Sequence, residues 1–132
     1  MKNVKDFIVQ LKSPWDEECI YNLVPVKETY QKNGRLGVML FDLDEAEEFA
    51  LLTVNIPNAM TSKENCSFVD TNNCSWAEKF LTENKLASPT KRSACSGYCT
   101  YPEYEFDISK LIEEKDLEHY LQKLHQDSDV EM

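Results

Sequence analysis

The chain has 132 residues, and its 24 acidic against 14 basic side chains give a formal net charge of −10. That balance argues against bare nucleic acid as a partner, because phosphates are met by Lys and Arg, and it favours basic proteins instead. With 42% hydrophobic and 29% charged residues, the composition is that of a globular protein, long enough to bury roughly two thirds of its unfolded surface around one core.

No apolar run approaches the ~18 residues of a membrane span. The N-terminus MKNVKDFIVQLKSPW has charges and amides where a signal peptide is apolar, so a cytoplasmic protein is expected. Five cysteines, an odd number, fit reduced thiols better than a disulfide framework.

The first half reads as antiparallel strands. Phe7, Val9 and Leu11 alternate with Ile8, Gln10 and Lys12 at the period of a strand, until Ser13-Pro14 interrupts them. A second extended stretch runs from about Cys19 to Tyr30, with Pro25 marking an edge or a bulge because proline cannot donate to a ladder. Asn33-Gly34 predicts a tight type I′ hairpin into RLGVMLFD.

That strand and EFALLTVNI flank the acidic turn Leu43 to Glu47. Both are apolar almost throughout, which predicts central strands covered on both faces. Pro57 ends the second, Asn58 to Asn65 forms a polar connector, and Cys66 to Val69 adds a short strand.

Ser75-Trp76-Ala77-Glu78 has the spacing of a capping box, predicting a helix over about 76–85 with Trp76, Ala77, Phe80 and Leu81 on one face. Ala87 to Gly97 reads as a loop, followed by an aromatic strand from Tyr98 to Phe106. Apolar positions Ile108, Leu111 and Ile112, then Leu117, Tyr120, Leu121 and Leu124, predict a C-terminal helix over about 108–125 with a break allowed at Lys115-Asp116. The expected fold is α+β: one domain over 1–125, a mostly antiparallel sheet of about five strands with both helices packed on it, then a flexible acidic tail over 126–132.

Residues that could carry chemistry are few. Cys95 and Cys99, with Cys66 and Cys74, could supply four zinc ligands, but neither pair has the C-x₂-C spacing of a knuckle, so no metal or cofactor is expected. His119 and His125 are the available bases, and they lie on different faces of the C-terminal helix away from any evident nucleophile. Thr90-Lys91-Arg92-Ser93 is a basic, hydroxyl-bearing cluster able to hold an anion or simply to be surface. Neither a phosphate-binding glycine loop nor a nucleophile elbow appears, and no catalytic residue is assigned.

The carboxylates remain. From Glu103 to Met132 ten acids face three lysines, a concentration that steers association with positive surfaces. Glu103, Glu105 and Asp107 alternate, which places them on one strand face about 6–7 Å apart. That resembles the spacing of phosphates along one nucleic-acid strand, although a solvated sheet edge charged against aggregation looks the same. Glu113, Glu114 and Glu118 follow, and Asp44, Glu45 and Glu47 form a second patch at the hairpin.

At LTVNIP (Leu52 to Pro57), FVDTNN (Phe68 to Asn73) and SGYCTYPEYEFD (Ser96 to Asp107), the chain resembles a family of small uncharacterised proteins, a domain of unknown function found largely on conjugative elements and phages of gut bacteria. The likeness covers roughly Leu36 to Leu111 and supplies no active site. Its Asp70-Thr71-Asn72-Asn73 motif is expected to build the turn before the capped helix.

The resemblance implies the setting of an anti-defence factor. The expected function is a non-enzymatic, anti-CRISPR-like inhibitor whose acids, Glu103, Glu105, Asp107, Glu113, Glu114 and Glu118 with the hairpin patch, occupy the basic channel of an effector nuclease. The alternative is an accessory protein of a mobile element that holds a partner through its aromatic strand. A small zinc or thiol protein ranks third.

Overall fold

The computed structural model describes residues 2–16 and 18–130, and for 125–130 the backbone alone. Among these residues nine strands and two α-helices follow in the order β1 (Val9–Lys12), β2 (Ile20–Thr29), β3 (Leu36–Asp42), β4 (Glu47–Leu51), β5 (Thr53–Val54), β6 (Cys66–Val69), α1 (Ala77–Glu83), β7 (Ala87–Ser96), β8 (Cys99–Phe106), β9 (Ile112–Glu113) and α2 (Glu114–Val130), with 3₁₀ turns at Val4–Phe7 and Ile108–Lys110. The fold is α+β and mostly antiparallel. Its strands form two sheets, one ordered β1-β2-β3-β4 with β9 parallel to β2, the other β5-β6-β8-β7.

β3 is buried at all seven positions, as an unbroken apolar run requires when both faces are covered. On one side Leu23, Leu40, Leu52, Val69, Phe80, Leu81 and Phe106 form the main core between the two sheets and α1. On the other, Val24, Val26, Met39 and Phe41 meet Val4, Ile112 and Leu117. A third cluster, Ile56, Phe68 and Tyr101, lies beneath the 55–65 connector.

EFALLTVNI behaves differently from the central strand expected. β4 is the edge of the first sheet with Glu47, Glu48 and Leu51 exposed, and the chain then changes sheets. Leu52 is the pivot: its N–H donates to the Val38 carbonyl at 2.9 Å, while its own carbonyl accepts from Asp70 N–H at 2.8 Å. The two backbone groups of this one residue therefore bond to different sheets, the N–H to β3 and the carbonyl to the residue that follows β6.

Pro25 sits inside a central strand. Asn22 accepts from Leu43 N–H, so even-numbered β2 residues bond toward β3 and odd-numbered ones away from it. On that far side β1 pairs as far as Leu23 and β9 begins at Val26. The missing N–H of Pro25 falls in the gap between them, where the ladder loses nothing.

The loop after β2 is longer than a two-residue hairpin. Tyr30 N–H donates to Arg35 O at 2.9 Å and Gly34 N–H to Tyr30 O at 2.7 Å, and Gly34 alone is left-handed, at φ +70°. A type I′ turn would need Asn33 left-handed too.

The tight hairpin of the molecule is instead β7–β8, in a segment whose composition reads as loop. Ser96 pairs with Cys99 across Gly97-Tyr98, and Gly97 has φ +63°, the first central position of a type II′ turn. A Cβ at Gly97 meets nothing within 4 Å, so Gly97→Ala is expected to cost only the backbone penalty, about 1 kcal/mol, measurable by urea denaturation.

Both helix starts differ from the sequence expectation. α1 begins at Ala77 with no side-chain cap, because the Glu78 carboxylate accepts from the Tyr104 hydroxyl at 2.9 Å instead of reaching back to Ser75. The turn before it is built as expected: Asn73 N–H donates to Asp70 Oδ1 at 3.1 Å and Asn73 Nδ2 to Oδ2 at 2.8 Å.

The C-terminal helix starts at Glu114, after 108–113 have formed a 3₁₀ turn and β9. There the buried Asp116 accepts from Glu113 N–H at 3.0 Å, the reach-back half of a capping box. α2 continues to Val130, through most of the expected tail; Glu131 and Met132 lie outside the described residues.

Candidate functional site

The thiols are separated by strand geometry. Cys95 lies opposite Thr100 in the β7–β8 register and its Sγ is 3.4 Å from Thr100 Oγ1, while Cys99 lies opposite Ser96. Neighbouring positions of a strand point to opposite faces, so Cys95 is exposed and Cys99 packs with Phe68 and Tyr101. Cys66 and Cys74 are buried, and burial raises the pKa of both. Among the described residues no three His, Cys, Asp or Glu side chains gather closely enough to hold a metal. His119 is exposed on α2, and the His125 side chain lies outside the described residues.

The acids on β8 do not form the expected open row. Glu103 and Glu105 do share a face, but the 55–65 connector crosses it, and Glu103 is fully buried. Its carboxylate accepts from Ser62 N–H at 2.8 Å, Ser62 Oγ at 2.6 Å and Thr90 Oγ1 at 2.7 Å, with Arg92 Nη1 at 3.3 Å. Burial pushes this carboxyl up, but the hydrogen bonds from Ser62 and Thr90 and the Arg92 charge outweigh it, leaving the pKa below its ordinary value.

The Thr90 to Ser93 cluster thus does hold an anion, the protein's own Glu103. A bulge makes this possible: β7 loses register with β8 between Pro89 and Ser93, and Lys91 is left-handed at φ +72°.

Other candidates are satisfied within the chain as well. Glu105 is held by Lys63 at 2.9 Å, and that hydrogen bond is the main cause of its lowered pKa. Asp107 lies past the end of β8 and accepts from Ser109 Oγ at 2.6 Å and Ser109 N–H at 3.1 Å, capping the 3₁₀ turn. Glu113 is 3.3 Å from Lys115. The aromatic strand is likewise turned inward: Tyr101, Tyr104 and Phe106 are buried and only Tyr98, at the hairpin tip, is open. Burial and the bond to Glu78 push Tyr104 up to about 12, which removes it from acid–base duty near neutrality.

Six of the nine acids are exposed without a basic partner among the described residues: Asp107, already bonded to Ser109, then Asp44, Glu45 and Glu47 around the β3–β4 turn, and Glu114 and Glu118 on α2. Between β4 and α2 lies an acid that the sequence does not single out. Glu28, half-buried on β2, has its pKa raised first by burial and then by the charges of Glu114 and Glu48. Like charges from β4 and α2 therefore converge on one group.

The bulge between Leu40 and Phe41 in the β3–β4 pairing also shapes this edge. It turns Phe49 inward to Tyr21 and Trp76, at ring-centroid distances of 4.7 and 5.9 Å, while Glu47 and Glu48 stay exposed.

No helix among the described residues is long and apolar enough to cross a membrane. Residues 25–124 match the family described as a domain of unknown function, DUF4313. The match covers most of the chain, and the protein belongs to that family. No curated protein and no solved structure matches it.

Proposed function

Starting from membership of a family whose name carries no activity, we propose that this protein is a non-enzymatic acidic binding protein, an anti-CRISPR-like anti-defence inhibitor that occupies the basic nucleic-acid-binding surface of an effector nuclease. The observation that carries the reading is the convergence of Glu48 on β4 and Glu114 on α2 upon Glu28, with Glu118 also exposed on α2 and Asp44, Glu45 and Glu47 exposed around the β3–β4 turn. The contact surface then lies on the β4 edge and α2, away from β8. Carboxylates held in mutual repulsion gain when Arg or Lys side chains come between them, and Arg supplies two-pronged pairs that add geometric selectivity. Long-range attraction speeds the encounter and weakens with salt.

The test is a pull-down from a host lysate at low and high salt, with the triple variant Glu45→Lys/Glu47→Lys/Glu114→Lys alongside. A nucleic-acid-processing enzyme should be captured at low salt and lost at high salt, with the variant binding about 100-fold more weakly, close to 2.8 kcal/mol. Recovery of no basic partner at either salt would overturn the reading.

The alternative, a mobile-element accessory protein that binds through aromatic groups, now rests on Tyr98. Tyr98→Ala would abolish capture under that reading and leave it intact under the first.

A further inference from the structure

A basic hollow lies at the mouth between the two sheets. On β2, Leu23 and Lys27 are four residues apart and share the face toward the main core. Leu23 is fully buried there, whereas Lys27 is half-buried at the open end. The ion pairs among the described residues use Lys63, Lys79, Arg92 and Lys115, so the ammonium of Lys27 has no carboxylate of its own.

Two adjoining pockets, of about 460 and 630 Å³, share Lys27, Leu36 and Glu64 as walls. Phe106 and Ile108 line the first, and Arg35 lines the second. Arg35 is held rigidly: Nη1 donates to the carbonyls of Ile56, at 2.8 Å, and Ala59, with Pro57 O 3.5 Å from Nη2. These neutral acceptors leave its charge uncompensated, and a guanidinium has five N–H groups, so donors remain. Lys27 and Leu36 border both pockets, with Arg35 in the second and the apolar Phe106 and Ile108 in the first, so that together they offer two cations without acid partners beside apolar walls, the common anatomy of a small-molecule site.

We propose that this hollow binds a small organic anion, its oxyanion group set between Lys27 and Arg35 and its apolar body against Leu36, Phe106 and Ile108. The acids in the lining define the sign of the neighbouring effects. Asp107 is already occupied by Ser109, but Glu64 is exposed and opposes an anion. The site is independent of the acidic surface, and either can fail alone.

The test is amide chemical-shift titration of the ¹⁵N-labelled protein with phenyl phosphate, inorganic phosphate and benzoate at matched ionic strength, using sodium chloride as the blank. Phenyl phosphate should give saturable shifts at Lys27, Arg35 and Ser109. Lys27→Met should weaken binding about tenfold, Glu64→Gln should tighten it, and Lys12→Met on exposed β1 should change nothing. Benzoate equal to phenyl phosphate upholds the site as one for carboxylates, and preference for phenyl phosphate upholds it as one for phosphate monoesters. Inorganic phosphate binding as well as phenyl phosphate would overturn the apolar half. Shifts no different from those with chloride, or an unaltered titration in a folded Lys27→Met protein, would overturn the whole.

Discussion

Glu103→Ala is expected to lower stability by about 2–4 kcal/mol, the cost of removing a buried carboxylate that receives several charge-assisted hydrogen bonds. The side chain is fully buried, and it fastens the 55–65 connector to β8 through Ser62 and to the β7 bulge through Thr90. Arg92→Met should cost less, because Arg92 is half-exposed and its loss leaves the Ser62 and Thr90 bonds in place. The effect depends on pH with a definite sign. The folded pKa of Glu103 lies below the ordinary 4.5, so its contribution is fully present above that value and disappears as the pH falls through the folded pKa. Urea denaturation of wild type and Glu103→Gln at neutral pH and under acid conditions should show the two curves converging in acid. A gap that persists or widens there would contradict the assigned ionisation.

Leu52→Ala is expected to cost about 2–5 kcal/mol, against less than about 0.5 kcal/mol for Leu51→Ala one position away. The contrast follows from the sheet switch. Leu51 is 45% exposed on the edge strand, whereas Leu52 is fully buried in the main core at the point where the chain passes from β4, paired with β3, to β5, paired with β6. Truncating Leu52 opens a cavity at a pivot whose two backbone bonds belong to different sheets, so the neighbours cannot collapse onto it without shifting one sheet against the other. Equal denaturation midpoints for the two variants would mean that the switch is not under packing constraint.

The fold was legible wherever burial on both faces left a continuous apolar run. β3 is the clearest case, and the short β6 was readable between polar flanks. Sequence composition misled where the backbone is irregular. The residues of β7 include Pro89, Lys91 and Arg92, and the bulge that accommodates them has no periodic signature. Apolar spacing fitted a helix over 108–113 equally well, but Asp107 and Asp116 bond to backbone N–H groups that set a 3₁₀ turn and a later helix start.

For the candidate site the period of two correctly put Glu103 and Glu105 on one face. It carries no information about what covers that face. The cover is the aperiodic 55–65 connector, which is why Glu103 read as surface and is core. Glu28 was missed for a related reason: on β2 it is one acid in a mixed strand, and only the fold brings Glu48 and Glu114 near it.

The 3₁₀ turn at the start of the chain reaches beyond its own four residues. Val4 is 1% exposed and packs with Val24, Val26, Met39, Phe41, Ile112 and Leu117, yet the family match opens at residue 25, inside β2. The matched stretch therefore leaves out residues that the core uses. A fragment trimmed to the match would begin partway along a central strand, strip β1 from one flank and take Val4 and Val24 out of the apolar layer on β3, leaving Ile112 and Leu117 to cover that side without them.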